Sequence, residues 1–271
     1  MGSKVWFITG ASSGFGRLWA EAALERGDKV AATARSVDSL SDLQERFGAA
    51  ALVRTLDVTD RDAVFRVVGE AHAHFGRLDV VVSNAGYSYT GAVEELDFKE
   101  AKANFDTNVF GTLSVIQAVL PLLRAQGAGR ILTVSSIGGI ASFPTGGAYV
   151  ATKSAVEAMS EALAGEVAHH GIKVTILEPG SYTTGFRSAT KVATAMPEYD
   201  AVRSAVRSSF DPSTTGDAVA TAQAIMTVVD AEEPPLRLVL GNWVLPRIKD
   251  VYASRIHTWD EWADLSNAAQ R

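Results

Sequence analysis

Tyr149 and Lys153 stand four residues apart at the start of an apolar-periodic run. A helix there places them on one face, with Cβ atoms roughly 5–6 Å apart, so that an ammonium faces a phenol. An unperturbed tyrosine titrates near ~10, and a fixed positive charge beside it favours the phenolate, so the phenol is expected to be drawn toward proton exchange near neutral pH. Ser136, thirteen residues before Tyr149, adds a hydroxyl on the preceding loop. Taken alone, the Tyr–Lys pair is more simply read as an amphipathic helix turn with a snorkelling lysine. The choice turns on whether the rest of the chain supplies a redox partner and a substrate.

Other chemistries are excluded by composition. With no cysteine, the chain has no disulfides, thiolate catalysis or cysteine-ligated metal centres. His72 and His74 are two apart, His169 and His170 are adjacent and His257 stands alone, so the histidines read as solvated side chains and no metal site is expected. A net charge of -6 without a basic cluster argues against nucleic acid and anionic membrane surfaces as partners. No apolar run is expected to reach membrane-spanning length. The opening residues lack a charged n-region, a long apolar stretch and a cleavage site, so a cytoplasmic location is expected.

The elements that must position these residues alternate along the chain. A strand over 5–9 runs into Gly10-Ala-Ser-Ser-Gly14-Phe-Gly16 and then a helix from Arg17 to about Arg26. Strand, glycine turn and helix in succession are what a dinucleotide pyrophosphate needs: close backbone approach and free N–H groups at a helix start. The spacing departs from Gly-x-Gly-x-x-Gly, and a plain strand-to-helix turn reads as well. Further strands are expected over 29–33, 51–56, 79–83, 130–134, 173–177 and 236–240, with helices over 37–47, 59–75, 98–123, 147–170 and 215–229. Near-continuous Val, Ile, Leu and Ala runs between helices predict an α/β fold, a doubly wound Rossmann-type parallel sheet of seven strands covered on both faces.

One domain over 1–271 is expected, since no linker tract divides it. Residues 181–215 exceed an ordinary connection of roughly 2–6 residues and read as a substrate lid. Residues 242–271, with Trp243, Trp259 and Trp262, read as a short helical tail. Asn108, polar among Phe105, Val109 and Phe110, is either a satisfied buried amide or a site residue. Thr9 to Gly16, Arg35, Asp57, Asn84 to Gly86, Ser136 and Pro179-Gly180 all fall at the carboxyl ends of successive strands, the edge where parallel sheets bind ligands.

On these residues the chain resembles the short-chain dehydrogenase/reductase family, over nearly its whole length to about residue 240. The motifs stand as Thr9-Gly-Ala-Ser-Ser-Gly-Phe-Gly16, Asp57, Asn84-Ala-Gly86, Asn108, Ser136, Tyr149-x-x-x-Lys153 and Pro179-Gly-Ser-Tyr-Thr-Thr184. The resemblance implies Tyr149 as general acid in carbonyl reduction, Lys153 binding the nicotinamide ribose and lowering the tyrosine's pKa, Ser136 on the substrate oxygen, and Asn108 positioning a relay water. It further implies that Gly10, Ser12, Ser13, Gly14, Phe15 and Gly16 surround the pyrophosphate and adenosine side. Asp57 and Val58 would touch adenine, Asn84, Ala85 and Gly86 the adenosine ribose, and Pro179, Gly180, Tyr182 and Thr184 the carboxamide. Phe15 stands where many members carry isoleucine. Tyr87, Tyr89, Ile137, Phe143, Tyr182 and Phe186 read as an apolar substrate pocket or as packing residues.

NADP(H) is expected over NAD(H). In members that use NAD an acid at the position of Ala34 grips the ribose hydroxyls, whereas here it is a methyl group followed by Arg35, a fork of donors suited to a phosphate. The substrate is expected to be a hydrophobic ketone, aldehyde or alcohol, and fold analogy does not choose among steroid-like, retinoid-like and aryl ketone compounds. A dinucleotide-sensing protein without turnover is the alternative. Pairing of the two long apolar helices across two-fold axes is expected to give a homodimer or homotetramer.

Overall fold

The computed structural model describes residues 2–270. Among them β1 (Val5–Ile8), α1 (Gly14–Glu25), β2 (Lys29–Ala34), α2 (Ser41–Phe47), β3 (Ala51–Thr55), α3 (Arg61–Phe75) and β4 (Val80–Ser83) form the first half. The second half holds β5 (Tyr89–Thr90), α4 (Phe98–Phe105), α5 (Gly111–Gln126), β6 (Gly129–Val134), α6 (Gly147–Val167) and β7 (Ile172–Pro179). It ends with β8 (Lys191–Val192), α7 (Asp200–Ser209), α8 (Thr221–Asp230), β9 (Arg237–Leu240), α9 (Val244–Glu261) and α10 (Ala263–Ala268). The main sheet is parallel, in the order β3-β2-β1-β4-β6-β7-β9, as the seven-strand expectation requires.

Strand alternation explains the layers. In β1, Val5 and Phe7 face one core with Val64, Val67 and Val68 of α3 and Val115 and Val119 of α5. Trp6 and Ile8 face the other, with Trp19 and Ala23 of α1, Leu43 of α2 and Ile225 of α8. Because both faces are covered, β1 is apolar at every position, and each large side chain buried there stabilises the fold by roughly 1.5–3 kcal/mol. Strand order reverses between β1 and β4, which opens a crevice at the carboxyl edge beside the turn after β1.

Several elements differ from the sequence expectation. The helix over 98–123 is not continuous: α4 and α5 are joined by a π-turn over Asp106–Phe110, and α5 runs on to Gln126. Taken as one, Phe98–Gln126 is long and apolar enough to cross a membrane by length and composition, contrary to the expectation for this chain. Its Val115, Ile116, Val119 and Leu123 pack into the core beside α3, and Asn104 and Asn108 are buried within it, which makes it a core helix. Residues 181–215 carry α7 and the two-residue β8, which pairs in parallel with β5 through Lys191 N to Ser88 O and Ala193 N to Thr90 O. Thr214 Oγ1 donates to Asp211 O in a separate turn, and Asp217 Oδ1 accepts from Val219 N, 3.0 Å, ahead of α8. The tail is longer than expected, α9 alone spanning 18 residues.

Candidate active site

The turn after β1 is built by close approach. Gly10 has φ 66°, a left-handed conformation that favours glycine. A Cβ on Gly16 would lie 2.5 Å from Asn84 Nδ2 and 2.6 Å from the Gly10 carbonyl oxygen. Asn84 Nδ2 donates to the carbonyls of Thr9, 2.9 Å, and Gly10, 3.0 Å, while Thr9 Oγ1 accepts from the amides of Asn84 and Ala85. Asn84 and Ala85 therefore brace the glycine turn against the end of β4. Ser12 and Ser13 are exposed at the mouth of the turn, and Ser13 caps α1 by position without a side-chain bond. Phe15 stacks on Trp19, 5.1 Å between centroids, and meets the edge of Tyr182. Thr184 lies over Gly14, so the chain after β7 crosses the glycine turn.

Along the same edge Arg35 and Asp57 are exposed, and Asp57 Oδ1 accepts from Thr59 N and Thr59 Oγ1. Val58 is buried against Gly111 and shapes the wall behind it. Pro179 ends β7, and Gly180 N donates to Leu240 O, 2.9 Å, joining the loop to β9.

The chemistry-bearing side chains converge where β4, β6 and α6 meet. Tyr149 is 7% exposed and Lys153 5%, one helical turn apart. Lys153 Nζ donates to Val134 O at 2.7 Å, and it lies 5.8 Å from the centroid of the Tyr149 ring. Ser136 sits on extended backbone at the end of β6, and its Oγ accepts from Gly138 N. Phe186 closes over Tyr149 at 5.7 Å between ring centroids. A Cβ on Gly86 would stand 2.9 Å from Asn108 Oδ1 and 3.6 Å from Lys153 Nζ, which places all three side by side.

Asn108 is a satisfied buried amide. Its Oδ1 accepts from Tyr87 N, 3.0 Å, and its Nδ2 donates to Tyr87 O, 3.0 Å, and to Thr152 Oγ1, 2.9 Å. The π-turn is what delivers this amide to the end of β4, and Asn104 Nδ2 reaches the same Tyr87 carbonyl. Asn108 holds the loop after β4 to α6, and both it and Lys153 lie against Gly86.

The expected lowering of the Tyr149 pKa does not hold in this arrangement. Burial pushes the phenol up to about 12, against which the hydrogen bond with Ser136 acts only partly. Burial also pushes Lys153 down to about 8, opposed by the charge of Glu157. Both shifts have one physical cause, the loss of water around a charged form. At neutral pH the phenol is therefore protonated, one helical turn from Lys153.

Sequence reasoning missed Ser135, Thr152, Glu157, Glu178 and Arg237, which surround the site. Glu157 had a signal, since it lies four residues beyond Lys153 on the same helix face. Arg237 had none, because only the sheet order brings β9 beside β7. A cavity of about 540 Å³ lies at the opposite edge of the sheet among Lys4, Arg77, Arg130 and Lys173, remote from this chemistry. Three of those cations already pair with Asp230, Asp79 and Glu233. Among the described residues no cluster of three His, Asp or Glu could hold a metal ion.

Comparison with known proteins gives the arrangement its kin. The family profile described as short chain dehydrogenase matches residues 4–194. Oxidoreductase BOA17 of Botryotinia fuckeliana is 43% identical over 273 aligned residues, covering 98% of this chain and 99% of that protein. The crystal structure of a short-chain dehydrogenase from Streptomyces avermitilis superposes with a TM-score of 0.92 at 40% identity, over 98% of this chain and 100% of that one. An alcohol dehydrogenase of the archaeon Thermococcus sibiricus, complexed with 5-hydroxy-NADP, gives a TM-score of 0.73 at 27% identity over 89% of this chain and 97% of that one. The chain therefore belongs to the short chain dehydrogenase family, and it is an oxidoreductase of that family.

Proposed function

We propose that the chain is an NADP(H)-dependent oxidoreductase that interconverts a ketone or aldehyde and its alcohol on a hydrophobic small molecule, with Tyr149 as general acid and base. The observation that carries this reading is the buried phenol of Tyr149 between Ser136 and Lys153, at the carboxyl edge of the sheet. The glycine turn after β1 and the open crevice at the strand-order reversal fit a dinucleotide, which when bound supplies or accepts the hydride. Ser136 donates to the carbonyl oxygen where negative charge develops. Tyr149 gives its proton to that oxygen, and Lys153 stabilises the resulting phenolate. Asn108 holds the loop after β4 against α6 while this happens. Phe186, 37% exposed, closes over the Tyr149 ring, which supports a hydrophobic substrate.

The NADP(H) preference rests on the end of β2. Ala34 offers no carboxylate to ribose hydroxyls, and Arg35 is exposed at the end of β2. Arg17, the other arginine near the glycine turn, is committed to Asp42 and Glu21. The test is a nicotinamide absorbance assay over a panel of ketones and alcohols, wild type against Tyr149→Phe. Turnover in the variant should fall about 10²–10⁴-fold with cofactor binding kept. Equal turnover in both would remove Tyr149 as the proton donor. NADPH binding with no turnover on the whole panel would instead support a dinucleotide-sensing protein.

A further inference from the structure

Below Lys153 lies a buried ionic cluster that none of the roles above uses. Glu157 is 5% exposed and Glu178 1% exposed, unusual for carboxylates away from solvent unless they are paired. Ser135 Oγ donates to Glu157 Oε1 at 2.6 Å. Arg237 Nη1 donates to Glu157 Oε2 at 2.9 Å and to Glu178 Oε1 at 2.6 Å, while its Nη2 reaches Glu161 at the rim at 3.0 Å. Space has been cleared for this cluster: a Cβ on Gly139 would overlap Glu157 Oε1 and stand 2.6 Å from Ser135 Oγ.

The arithmetic of charge links the cluster to the reaction. Three carboxylates, the buried Glu157 and Glu178 and the exposed Glu161, share one guanidinium, and burial pushes the Glu178 carboxyl up, so the charge of Glu157 is only partly balanced by Arg237. Lys153 stands one turn back from Glu157 on α6 and feels its charge. Facing Lys153 are the Tyr149 ring and Glu157 from its own helix, the Val134 carbonyl from β6, the Gly86 backbone from beyond β4 and the neutral Asn108 amide from the π-turn. Glu178 of β7 and Arg237 of β9 stand one step further out, joined through Glu157. Desolvation disfavours the ammonium of Lys153, and the charge of Glu157 opposes that.

The cluster also fixes positions. Ser135 precedes Ser136, Glu178 precedes Pro179-Gly180, and both are tied through Glu157 and Arg237 to α6, the helix that carries Tyr149 and Lys153. We propose that Glu157 is a positioning residue of this site: clamped by Ser135 and Arg237, its carboxylate is the buried counter-charge that favours the ammonium of Lys153 and ties the ends of β6 and β7 and the start of β9 to α6. This rests on the reading of Tyr149 and Lys153 given above.

The experiment reads Lys153 directly. In the full chain labelled with ¹³C at lysine Cε, the Lys153 signal is assigned by its absence in Lys153→Met and followed from pH 6 to 11, without substrate. Glu157→Gln keeps a polar side chain of the same length and removes the charge, and it should lower the midpoint by roughly one pH unit. Arg237→Gln removes the competing cation and should raise it. Opposite shifts support the proposal, whereas no shift in Glu157→Gln, or shifts of the same sign in both, overturn it. If Glu157→Gln does not fold, Arg237→Gln decides alone: an upward shift supports the proposal, and none or a downward shift overturns it. Fluorescence titration of wild type with NADPH separates the two readings, because absence of binding counts against the proposed function while the Lys153 midpoints still judge Glu157.

Discussion

At the scale of residues, the site is a pair of ionisable groups moved by burial in opposite directions, Tyr149 up to about 12 and Lys153 down to about 8. Carbonyl reduction that draws on a protonated phenol and an ammonium should therefore lose rate as pH rises through the Lys153 value. The sign follows from a depressed lysine pKa: the charged form is complete below about 8 and is lost above it. A kcat profile for reduction flat to pH 10 would contradict this. At the end of β2, Ala34→Asp combined with Arg35→Ala should move preference toward NAD(H), chiefly by raising KM for NADP(H). The check is kcat/KM with NADPH and NADH in wild type and variant, and a wild type that prefers NADH would remove Arg35 as the phosphate ligand. The glycine turn, Ser136, Tyr149 and Lys153 were legible only together, since each alone reads as an ordinary turn, loop or helix residue, and their places after successive strands bring them to one edge. Residue identity left Asn84 and Asn108 ambiguous, because an amide that braces backbone and one that touches a ligand look alike until its partners are known.

At the scale of elements, the strands were legible because burial on both faces of the sheet makes them apolar at every position. The π-turn at Asp106–Phe110 was not. It is set by where the Asn108 amide finds Tyr87 and Thr152, a tertiary demand that leaves no periodic mark. A π-turn is one residue more than a regular helix needs. Deleting Thr107 should restore continuous α-helix and turn α4 by about 100° relative to α5. Circular dichroism should then show helix content retained while turnover falls at least about 100-fold, with Thr107→Ala near wild type. Full activity in the deletion variant would show that the turn does not position the site. The pairing of β5 with β8 escaped sequence reading for a related reason, since two residues on each side carry no alternation to detect.

At the scale of the whole molecule, Phe98 is 84% and Phe110 54% exposed on the helical face that also carries α4 and the π-turn. We expect this face to be covered by a second copy, giving a dimer or tetramer at micromolar concentration. Light scattering should return at least twice the chain mass, and Phe98→Glu with Phe110→Glu should return a monomer. A monomeric wild type would end this expectation. The sheet order has a consequence of its own for how the protein is made. The glycine turn takes its braces from Asn84 and Ala85, close after β4, while Thr184, far along the chain, lies over Gly14. The catalytic edge waits for Arg237 to reach Glu157 and Glu178, and for Leu240 to receive the Gly180 amide. Because a domain folds as a unit, the two halves of this edge close together, and a chain that stops short of Arg237 should lack the clamp that holds α6 to β7.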